Sequence, residues 1–213
     1  MKALEFLFPA HTCLGCRAEL NSAKFICGAC EKLVVKNDEV VNLMDKDAMQ
    51  YFSMGFAPFK YGDVLYSALM GLKYNGVGES ATWLAPYMAD SIKGLPRDAV
   101  LVPVPLHKKR TKERGYNQAQ LLSKEISKIT GHNIDQDILK RVRHTVPQKR
   151  MSPLERAQNS RGAFTVLNIE KIKNKYIIVI DDVFTSGSTV NECARMLMIN
   201  GARRVFVLTC SKV

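Results

Sequence analysis

The sequence of 213 residues has no apolar run that approaches the roughly 20 residues needed to cross a bilayer. Its longest apolar runs, at 176–180 and 205–208, are far shorter, so we expect no membrane insertion. Residues 1–10 also lack the long apolar stretch and the small-residue cleavage site of a secretory signal. We therefore expect a cytoplasmic protein.

Internal repeats and low-complexity segments are absent too, and the motif Gly-x-x-x-x-Gly-Lys-Ser/Thr does not occur. Its absence excludes a nucleoside triphosphatase of the P-loop type. The hydrophobic content of 46% excludes an intrinsically disordered chain. The length allows one full domain with a small appendage.

Acidic residues are few relative to basic ones, with 20 Asp and Glu against 31 Lys and Arg, and the net charge is +11. The excess is concentrated in residues 101–160, here called the basic segment, which carry 13 basic and 5 acidic side chains. This skew predicts an anionic partner. Phosphates on a small molecule and phosphates along a nucleic acid both fit, and a solvated basic face without a partner is the alternative.

Four of the six cysteines form two Cys-x-x-Cys pairs, Cys13 with Cys16 and Cys27 with Cys30. The spacing predicts a structural Zn²⁺ site, because each pair can wrap a turn around one ion and four thiolates satisfy its tetrahedral preference. His11 is an alternative ligand. Two disulfides are the competing interpretation, but they need an oxidising compartment, for which the sequence has no targeting signal.

Apolar periodicity alternates between helices and strands along the rest of the chain. We expect helices over 63–74, 79–93, 117–131 and 190–199, and strands over 99–104, 176–180 and 205–208. The order of strand, helix and strand at the end of the chain predicts a parallel unit. After residue 104 the chain is expected to turn and continue as a basic run. Residues 141–161 show neither the helical nor the strand periodicity of apolar residues, and they are predicted to be a mobile loop.

Residues 178–191 predict an anion site. A buried strand ends in Asp181 and Asp182 and continues into a loop of small residues, here called the phosphate loop: Thr185, Ser186, Gly187, Ser188 and Thr189. Gly187 allows the backbone amides to turn toward a ligand, and the following helix adds its N-terminal partial charge. Carboxylates repel phosphate and should face sugar hydroxyls or a divalent cation, so the pattern predicts a phosphorylated ribose. The alternative is a junction that binds nothing.

Residues 179–189, VIDDVFTSGST, resemble the ribose 5-phosphate motif of type I phosphoribosyltransferases, whose substrate is 5-phosphoribosyl 1-pyrophosphate (PRPP). Other segments resemble the ComF (ComFC) family: Leu72-Lys73-Tyr74, Pro103-Val104-Pro105-Leu106, Arg114-Gly115-Tyr116-Asn117-Gln118-Ala119, Gln148, Arg156 with Asn159, and Gly162-Ala163-Phe164. The likeness spans nearly the whole chain. Ser-Gly-Ser-Thr stands where Thr-Gly-Ala-Thr is commoner, which is a conservative departure.

The resemblance implies an α/β chain with the type I phosphoribosyltransferase fold, a central parallel sheet flanked by helices, joined to a small N-terminal zinc-binding module. We expect the zinc module over 1–35, a linker with short strands over 36–60 and the phosphoribosyltransferase-like domain over 61–213. The mobile loop at about 141–161 would then form a hood over the site.

The resemblance also implies roles for the site residues. Asp181 and Asp182 would hold the ribose 2- and 3-hydroxyls, directly or through Mg²⁺, and the phosphate loop would take the 5-phosphate. The cations expected at the pyrophosphate are Arg110, Arg114 and Lys73. The acceptor is not identified, and no general base is assigned.

The family is linked to DNA uptake during natural transformation, which leads to alternative functions. The first is a phosphoribosyltransferase of unidentified acceptor. The second is a non-catalytic protein that keeps the fold and binds single-stranded DNA through the basic segment and the zinc module. The third is an assembly module for an uptake helicase. The expected partners are PRPP, single-stranded DNA and that helicase.

Overall fold

The computed structural model describes residues 11–20, 24–37, 49–75, 78–143 and 160–213. The helices are α1 (Gly28–Leu33), α2 (Asp63–Met70), α3 (Glu79–Ser91), α4 (Lys108–Arg114), α5 (Gln118–Thr130) and α6 (Ser188–Ile199), and a π-helical turn (Gly71–Asn75) follows α2. The strands are β1 (His11–Thr12), β2 (Glu19–Leu20), β3 (Met54–Phe56), β4 (Phe59–Lys60), β5 (Val100–Pro103), β6 (Leu139–Arg141), β7 (Phe164–Val166), β8 (Tyr176–Ile180), β9 (Val183–Phe184), β10 (Arg204–Leu208) and β11 (Ser211–Lys212). In these segments no helix is long and apolar enough to span a membrane.

The central sheet has four parallel strands in the order β3-β10-β8-β5. In the register of β8 with β10, Tyr176 pairs with Arg204 and Ile180 pairs with Leu208. Both strands are nearly continuous apolar runs, as is typical of parallel strands covered on both faces. The sheet confirms the predicted α/β class with a central parallel sheet flanked by helices.

Alternate residues of the strands contribute to two cores, one on each face of the sheet. Ile178 and Ile180 of β8 pack with buried residues of α2, α3 and α5. Ile177 and Val179 pack with buried residues of α6, β6 and β7 on the other face. The helices therefore lie on the sheet through the apolar stripes that the periodicity indicated.

The cysteine segment contacts the first of these cores. Leu14 is buried in the same cluster as Val64 of α2. A Cβ atom on Gly15 would lie 2.7 Å from Cys30 Sγ and 3.1 Å from a methyl group of Val64, so this close approach requires glycine. The predicted division into module, linker and domain stays a prediction, although β3, which lies in the expected linker, forms an edge of the central sheet.

Two local structures differ from what the apolar periodicity predicted. The basic run after β5 forms a helix, α4, which is capped by His107 and ends at Gly115 with φ 82°. None of its residues is buried, so it has no apolar stripe that a pattern could detect. The helix expected over 63–74 ends at Met70 and continues as the π-helical turn. By contrast, the predicted N-cap of α5 is confirmed, since Asn117 Oδ1 accepts from the Ala119 N–H at 3.0 Å.

The chain leaves β5 and β8 on opposite sides. From β5 it passes through α5 to a parallel bridge between Ile134 and Leu101, on the side of β5 away from β8. From β8 it passes through α6 to β10, on the side of β8 away from β5. Diverging connections open a crevice at the carboxyl ends of two neighbouring strands, which is where ligands bind in open α/β sheets.

Candidate functional site

A cavity of about 910 Å³ lies at this crevice. Its walls come from the ends of β5 and β8, from α2 with its π-helical turn, from α4 and from the phosphate loop. Apart from the four cysteines, all predicted site residues but one line it: Lys73, Arg110, Arg114, Asp181, Asp182, Thr185, Gly187, Ser188 and Thr189. The exception is Ser186, whose hydroxyl lies 3.0 Å from Ser188 Oγ.

The two carboxylates are oriented by their own backbone. The Asp182 N–H donates to Asp181 Oδ1 at 2.9 Å, and the Val183 N–H donates to Asp182 Oδ1 at 2.9 Å. Burial raises the pKa of Asp181 well above its usual value, and the charge of Asp182 raises it further. The ionised form of Asp181 would therefore be favoured by a bound cation or by hydroxyl donors.

Lys73 pairs with Asp182 across the cavity. Lys73 Nζ lies 2.6 Å from Asp182 Oδ2, and the Asp182 side chain is only 9% exposed. Burial lowers the pKa of Lys73, but the charge and hydrogen bond of Asp182 outweigh that effect and raise it above its usual value. The predicted contact of Lys73 with pyrophosphate stays a prediction.

Lys73 is carried by the π-helical turn. Such turns are rare and often occur at functional sites. The turn is held from outside by Tyr116, whose hydroxyl donates to the Leu72 carbonyl at 2.9 Å. Tyr116 lies between α4 and α5. This bond therefore connects the π-helical turn, which carries Lys73, to α4, the helix that carries Arg110 and Arg114.

The phosphate loop leads directly into α6. Gly187 is the N-cap of α6 with φ 70°, a left-handed conformation that favours glycine. The loop therefore ends at a helix N-terminus, where unpaired N–H groups and the helix dipole favour an anion. Ser188 Oγ also lies 3.3 Å from the hydroxyl of Ser160, a residue for which the sequence had no signal.

Of the arginines in the described segments, Arg110, Arg114 and Arg141 line the same cavity. Arg114 Nη1 donates to Gln118 Oε1 at 2.6 Å, and Arg110 lies one turn earlier on α4. Arg141, at the end of β6, was predicted only as the start of the mobile loop. Burial lowers the pKa of Arg141, and the nearby charge of Arg110 lowers it further. An anion in the cavity would relieve this crowding of positive charge.

Three tyrosines form the exposed rim of the cavity, here called the tyrosine rim: Tyr61, Tyr66 and Tyr74. The rings of Tyr61 and Tyr66 meet edge to face with centroids 6.3 Å apart. The Arg114 guanidinium lies 5.4 Å from the ring centre of Tyr74. Tyr61 and Tyr66 were not singled out from the sequence, because exposed positions do not contribute to an apolar stripe.

The four N-terminal cysteines form a second candidate site, here called the cysteine cluster: Cys13, Cys16, Cys27 and Cys30. Their sulfur atoms all lie within 4.8 Å of one another, and Cys16 Sγ lies 3.8 Å from Cys27 Sγ. A tetrahedron with metal–sulfur bonds of about 2.3 Å has edges of about 3.8 Å, so the cluster could hold a metal such as zinc. The side chain of His11 lies outside the described residues.

The predicted loop over 141–161 lies largely outside the described residues too, including Gln148, Arg156 and Asn159. Its two described ends are joined by a hydrogen bond, which Arg143 Nη2 donates to the Arg161 carbonyl at 2.7 Å. The hood over the site therefore stays a prediction.

No protein-family model matches the sequence. Competence protein F of Haemophilus influenzae is 39% identical over 109 residues, which cover 50% of this chain and 47% of that protein. DNA utilization protein YhgH of Escherichia coli (strain K12) is 32% identical over 153 residues, covering 69% of this chain and 66% of that protein. Competence protein ComFC of Bacillus subtilis is 28% identical over 210 residues, covering 94% and 83%.

The chain spans about half the length of several curated relatives that it matches. It covers 47% of Competence protein F and 52% of the YhgH proteins of Salmonella typhi and Salmonella typhimurium. Among solved structures, the crystal structure of TT1426 from Thermus thermophilus matches with a TM-score of 0.37 and 12% identity, covering 62% of this chain and 83% of that chain. The sequence relatives and the cysteine cluster together show that the chain belongs to the ComF/ComFC family.

Proposed function

We propose that this chain binds PRPP with Mg²⁺ in the cavity between β5 and β8, as a phosphoribosyltransferase-like protein that acts in DNA uptake during natural transformation. One observation carries the proposal: the carboxylates of Asp181 and Asp182, the phosphate loop and the arginines Arg110 and Arg114 line a single cavity. A ligand that fits them must present hydroxyls to the carboxylates and phosphates on two sides, as PRPP does. The part in DNA uptake rests on relatives named competence and DNA utilization proteins.

The carboxylate pair suits Mg²⁺, because this ion prefers oxygen ligands and is often held by one or two carboxylates together with substrate phosphates. When bound, Mg²⁺ would neutralise part of the charge of the pyrophosphate. Lys73 occupies Asp182 Oδ2 at 2.6 Å, so a ligand at that oxygen requires the lysine to move away. The lysine is then available to the pyrophosphate.

The proposed reaction is a displacement at the anomeric carbon of the ribose. The bond from this carbon to the pyrophosphate oxygen breaks, the electron pair leaves with the pyrophosphate, and the acceptor's nucleophile forms the new bond. Arg110, Arg114 and the released Lys73 would stabilise the charge on the leaving group. The carboxylates would orient the ribose and favour positive charge on its ring in the transition state. No general base is assigned, so the acceptor must bring a competent nucleophile.

The direct test is a calorimetric titration of the protein with PRPP and Mg²⁺. We expect binding in the wild type, and at least a tenfold loss in Asp181→Asn and Asp182→Asn. Asp135→Asn is the matched control, because Asp135 pairs with Lys171 at 2.6 Å outside the cavity. Absence of binding in the wild type, or equal affinity in Asp182→Asn, would exclude the proposed site. Pyrophosphate release in an acceptor screen then distinguishes an enzyme from a sensor of PRPP.

Single-stranded DNA binding is a second candidate function, favoured by α4. The helix has no buried residue, and Lys108, Lys109 and Lys112 are exposed on it beside the cavity. Lysines that contact phosphates release counterions, so the affinity should fall steeply with salt. Replacing the three lysines by alanine should reduce the salt slope by roughly one per lost contact. A flat salt response would count against this function. Assembly with an uptake helicase stays a prediction.

We also propose zinc as the metal of the cysteine cluster. The support is the sulfur spacing, which suits a tetrahedral ion. Backbone N–H groups favour thiolate at Cys13: its burial raises the pKa, but hydrogen bonds from backbone amides outweigh that and lower it to about 6. Burial and the neighbouring cysteines raise the pKa of Cys30 to about 12, so a bound cation is needed to hold all four side chains as thiolates. Four protein ligands leave no open position, so the site would be structural.

A further inference from the structure

The cysteine segment follows one face of α2 toward the π-helical turn. Its first pair of cysteines lies in residues 13–17, here called the cysteine turn. A Cβ atom on Gly15 would lie 3.1 Å from a methyl group of Val64, and a Cβ atom on Gly71 would lie 3.8 Å from Arg17 Nη2. Val64 and Gly71 are seven residues apart in a continuous helical segment, so they lie on one face, two turns apart. The cysteine turn therefore lies against α2 and against the first residue of the π-helical turn.

Arg17 has a backbone conformation that is unusual for arginine. Its φ is 65°, in the left-handed region that disfavours residues with a side chain. The Arg17 N–H donates to the Cys13 carbonyl at 2.9 Å, and the Cys13 N–H donates to the Ala18 carbonyl at 2.8 Å. These bonds close the cysteine turn and fix the conformation of Arg17. Glycine would be more stable at this position, so the presence of arginine indicates that its side chain has a use.

The Arg17 side chain ends at a crowded part of the π-helical turn. A Cβ atom on Gly71 would lie 3.0 Å from Ser80 Oγ, so Gly71 is enclosed by α3 as well as by Arg17. The next residue, Leu72, is fully buried, and its carbonyl accepts the hydrogen bond from Tyr116. A π-helical turn is a rare backbone form. Here its first two residues are fixed by contacts from three other segments, one of which is the cysteine turn.

Lys73 is the third residue of this turn, and its side chain is 25% exposed with Nζ 2.6 Å from Asp182 Oδ2. Because the turn sets where this side chain begins, a displacement of the turn would weaken the ion pair. We propose that Arg17 is a positioning residue that holds the π-helical turn and thereby keeps Lys73 on Asp182. The cysteine cluster fixes the cysteine turn, so a metal in the cluster would support the cavity from outside. This role is independent of PRPP, and only its consequence, a Lys73 in reach of the pyrophosphate, rests on the proposed function.

The test measures how fast Lys73 reacts with an amine-acetylating reagent at pH 9, read from peptide mass spectrometry of the full chain. Burial lowers the pKa of Lys73, but the pairing with Asp182 outweighs that effect and raises the pKa, which keeps the amine protonated and slow to react. Asp182→Asn gives the rate of a released lysine. We expect Arg17→Gly and Arg17→Ala to raise the Lys73 rate toward that value, by at least about threefold. Glycine also relieves the left-handed strain, so a faster rate in Arg17→Gly does not come from a less stable cysteine turn.

Lys171 is the internal control, because it also pairs with a carboxylate, Asp135 at 2.6 Å, but lies outside the cavity. Its rate should not change in the Arg17 variants. Wild-type rates at Lys73 in both variants overturn the proposal, and so does an equal rise at Lys73 and Lys171, which would reflect a general loosening of the fold. A wild-type Lys73 that already reacts as fast as in Asp182→Asn overturns it too.

The same measurement with a chelator tests the part of the cysteine cluster. Arg17→Gly should keep the metal content of the wild type, because all four cysteines remain. Removal of the metal from the wild type should raise the Lys73 rate as the Arg17 variants do, while the Lys171 rate stays unchanged. An unchanged Lys73 rate in metal-depleted protein, or a wild type that carries no metal, would overturn the dependence of Lys73 on the cluster.

A separate titration of the wild type with PRPP and Mg²⁺ keeps this outcome distinct from that of the proposed function. If PRPP does not bind and the Arg17 variants release Lys73, the proposed function fails and the positioning role remains. If PRPP binds and the variants react like the wild type, only the positioning role fails.

Discussion

Lys73 Nζ and Asp182 Oδ2 lie 2.6 Å apart in the cavity, and their side chains are 25% and 9% exposed. The ion pair neutralises a buried carboxylate that also accepts a hydrogen bond from the Val183 N–H. Because the proposed ligand needs the same carboxylate, the pair also makes binding at Asp182 compete with Lys73.

Lys73→Met should destabilise the protein without ligand. The substitution leaves the buried Asp182 carboxylate without the charge of Lys73, and we expect the free energy of unfolding to fall by about 1–3 kcal/mol. This loss is smaller than the loss on breaking a fully buried ion pair. Urea denaturation at neutral pH measures it. The control is Lys171→Met, which breaks an exposed ion pair with Asp135 and should change little. Equal stability of wild type and Lys73→Met would contradict the proposed importance of the pair.

Asp181→Asn should stabilise the unliganded protein as the pH rises. The pKa of Asp181 is raised in the folded state, so the stability that it contributes is present below its ordinary value of 3.8 and is lost as the pH rises toward the raised value. Asparagine has no such loss. The difference in melting temperature between variant and wild type should therefore grow from pH 4 to pH 8, measured without divalent cations. Asp98→Asn, at an exposed position, should show no such trend, and parallel profiles for Asp181→Asn would refute the assignment.

Gly187→Ala should impair both the fold and the phosphate loop. A residue with a side chain is less stable in the left-handed conformation at φ 70° by about 1–2 kcal/mol. A backbone shift that relieves this strain would displace the N–H groups at the start of α6. We expect at least a tenfold loss of PRPP affinity by calorimetry. Gly78→Ala is the matched control, because Gly78 also caps a helix but has φ −89° and open space around its Cβ position. Unchanged PRPP affinity in Gly187→Ala would remove the loop from the proposed site.

Removal of metal from the cysteine cluster should lower the melting temperature by more than about 5 °C. Cys13 and Cys30 are buried against the core that contains Val64, so loosening the cluster exposes part of that core. For a chain of this length a shift of 2–4 °C corresponds to roughly 1 kcal/mol. Metal content and thermal unfolding are measured with and without a chelator. Cys13→Ser should lose the metal, and Cys193→Ala, outside the cluster, should keep one equivalent; a metal-free wild type would contradict the proposal.

Local patterns were sufficient for much of this protein. The apolar runs of β8 and β10 predicted buried parallel strands, because a strand covered on both faces needs apolar residues at every position. The Asp181–Asp182 pair and the phosphate loop were found from residue types within one short segment. The spacing of the four cysteines predicted their cluster, because the two cysteines of each Cys-x-x-Cys pair are close in sequence and a single turn brings them together.

Contacts between distant segments were beyond such patterns. The pairing of Lys73 with Asp182, the approach of Arg141 to the cavity and the grouping of Tyr61, Tyr66 and Tyr74 at its mouth depend on how the chain crosses the sheet. Apolar periodicity predicts which side of a helix or strand is buried. It gives no information on the exposed side chains or on the residues that they contact. The divergence of the connections at β5 and β8 brings these residues together, and that arrangement arises only when the helices pack on the sheet.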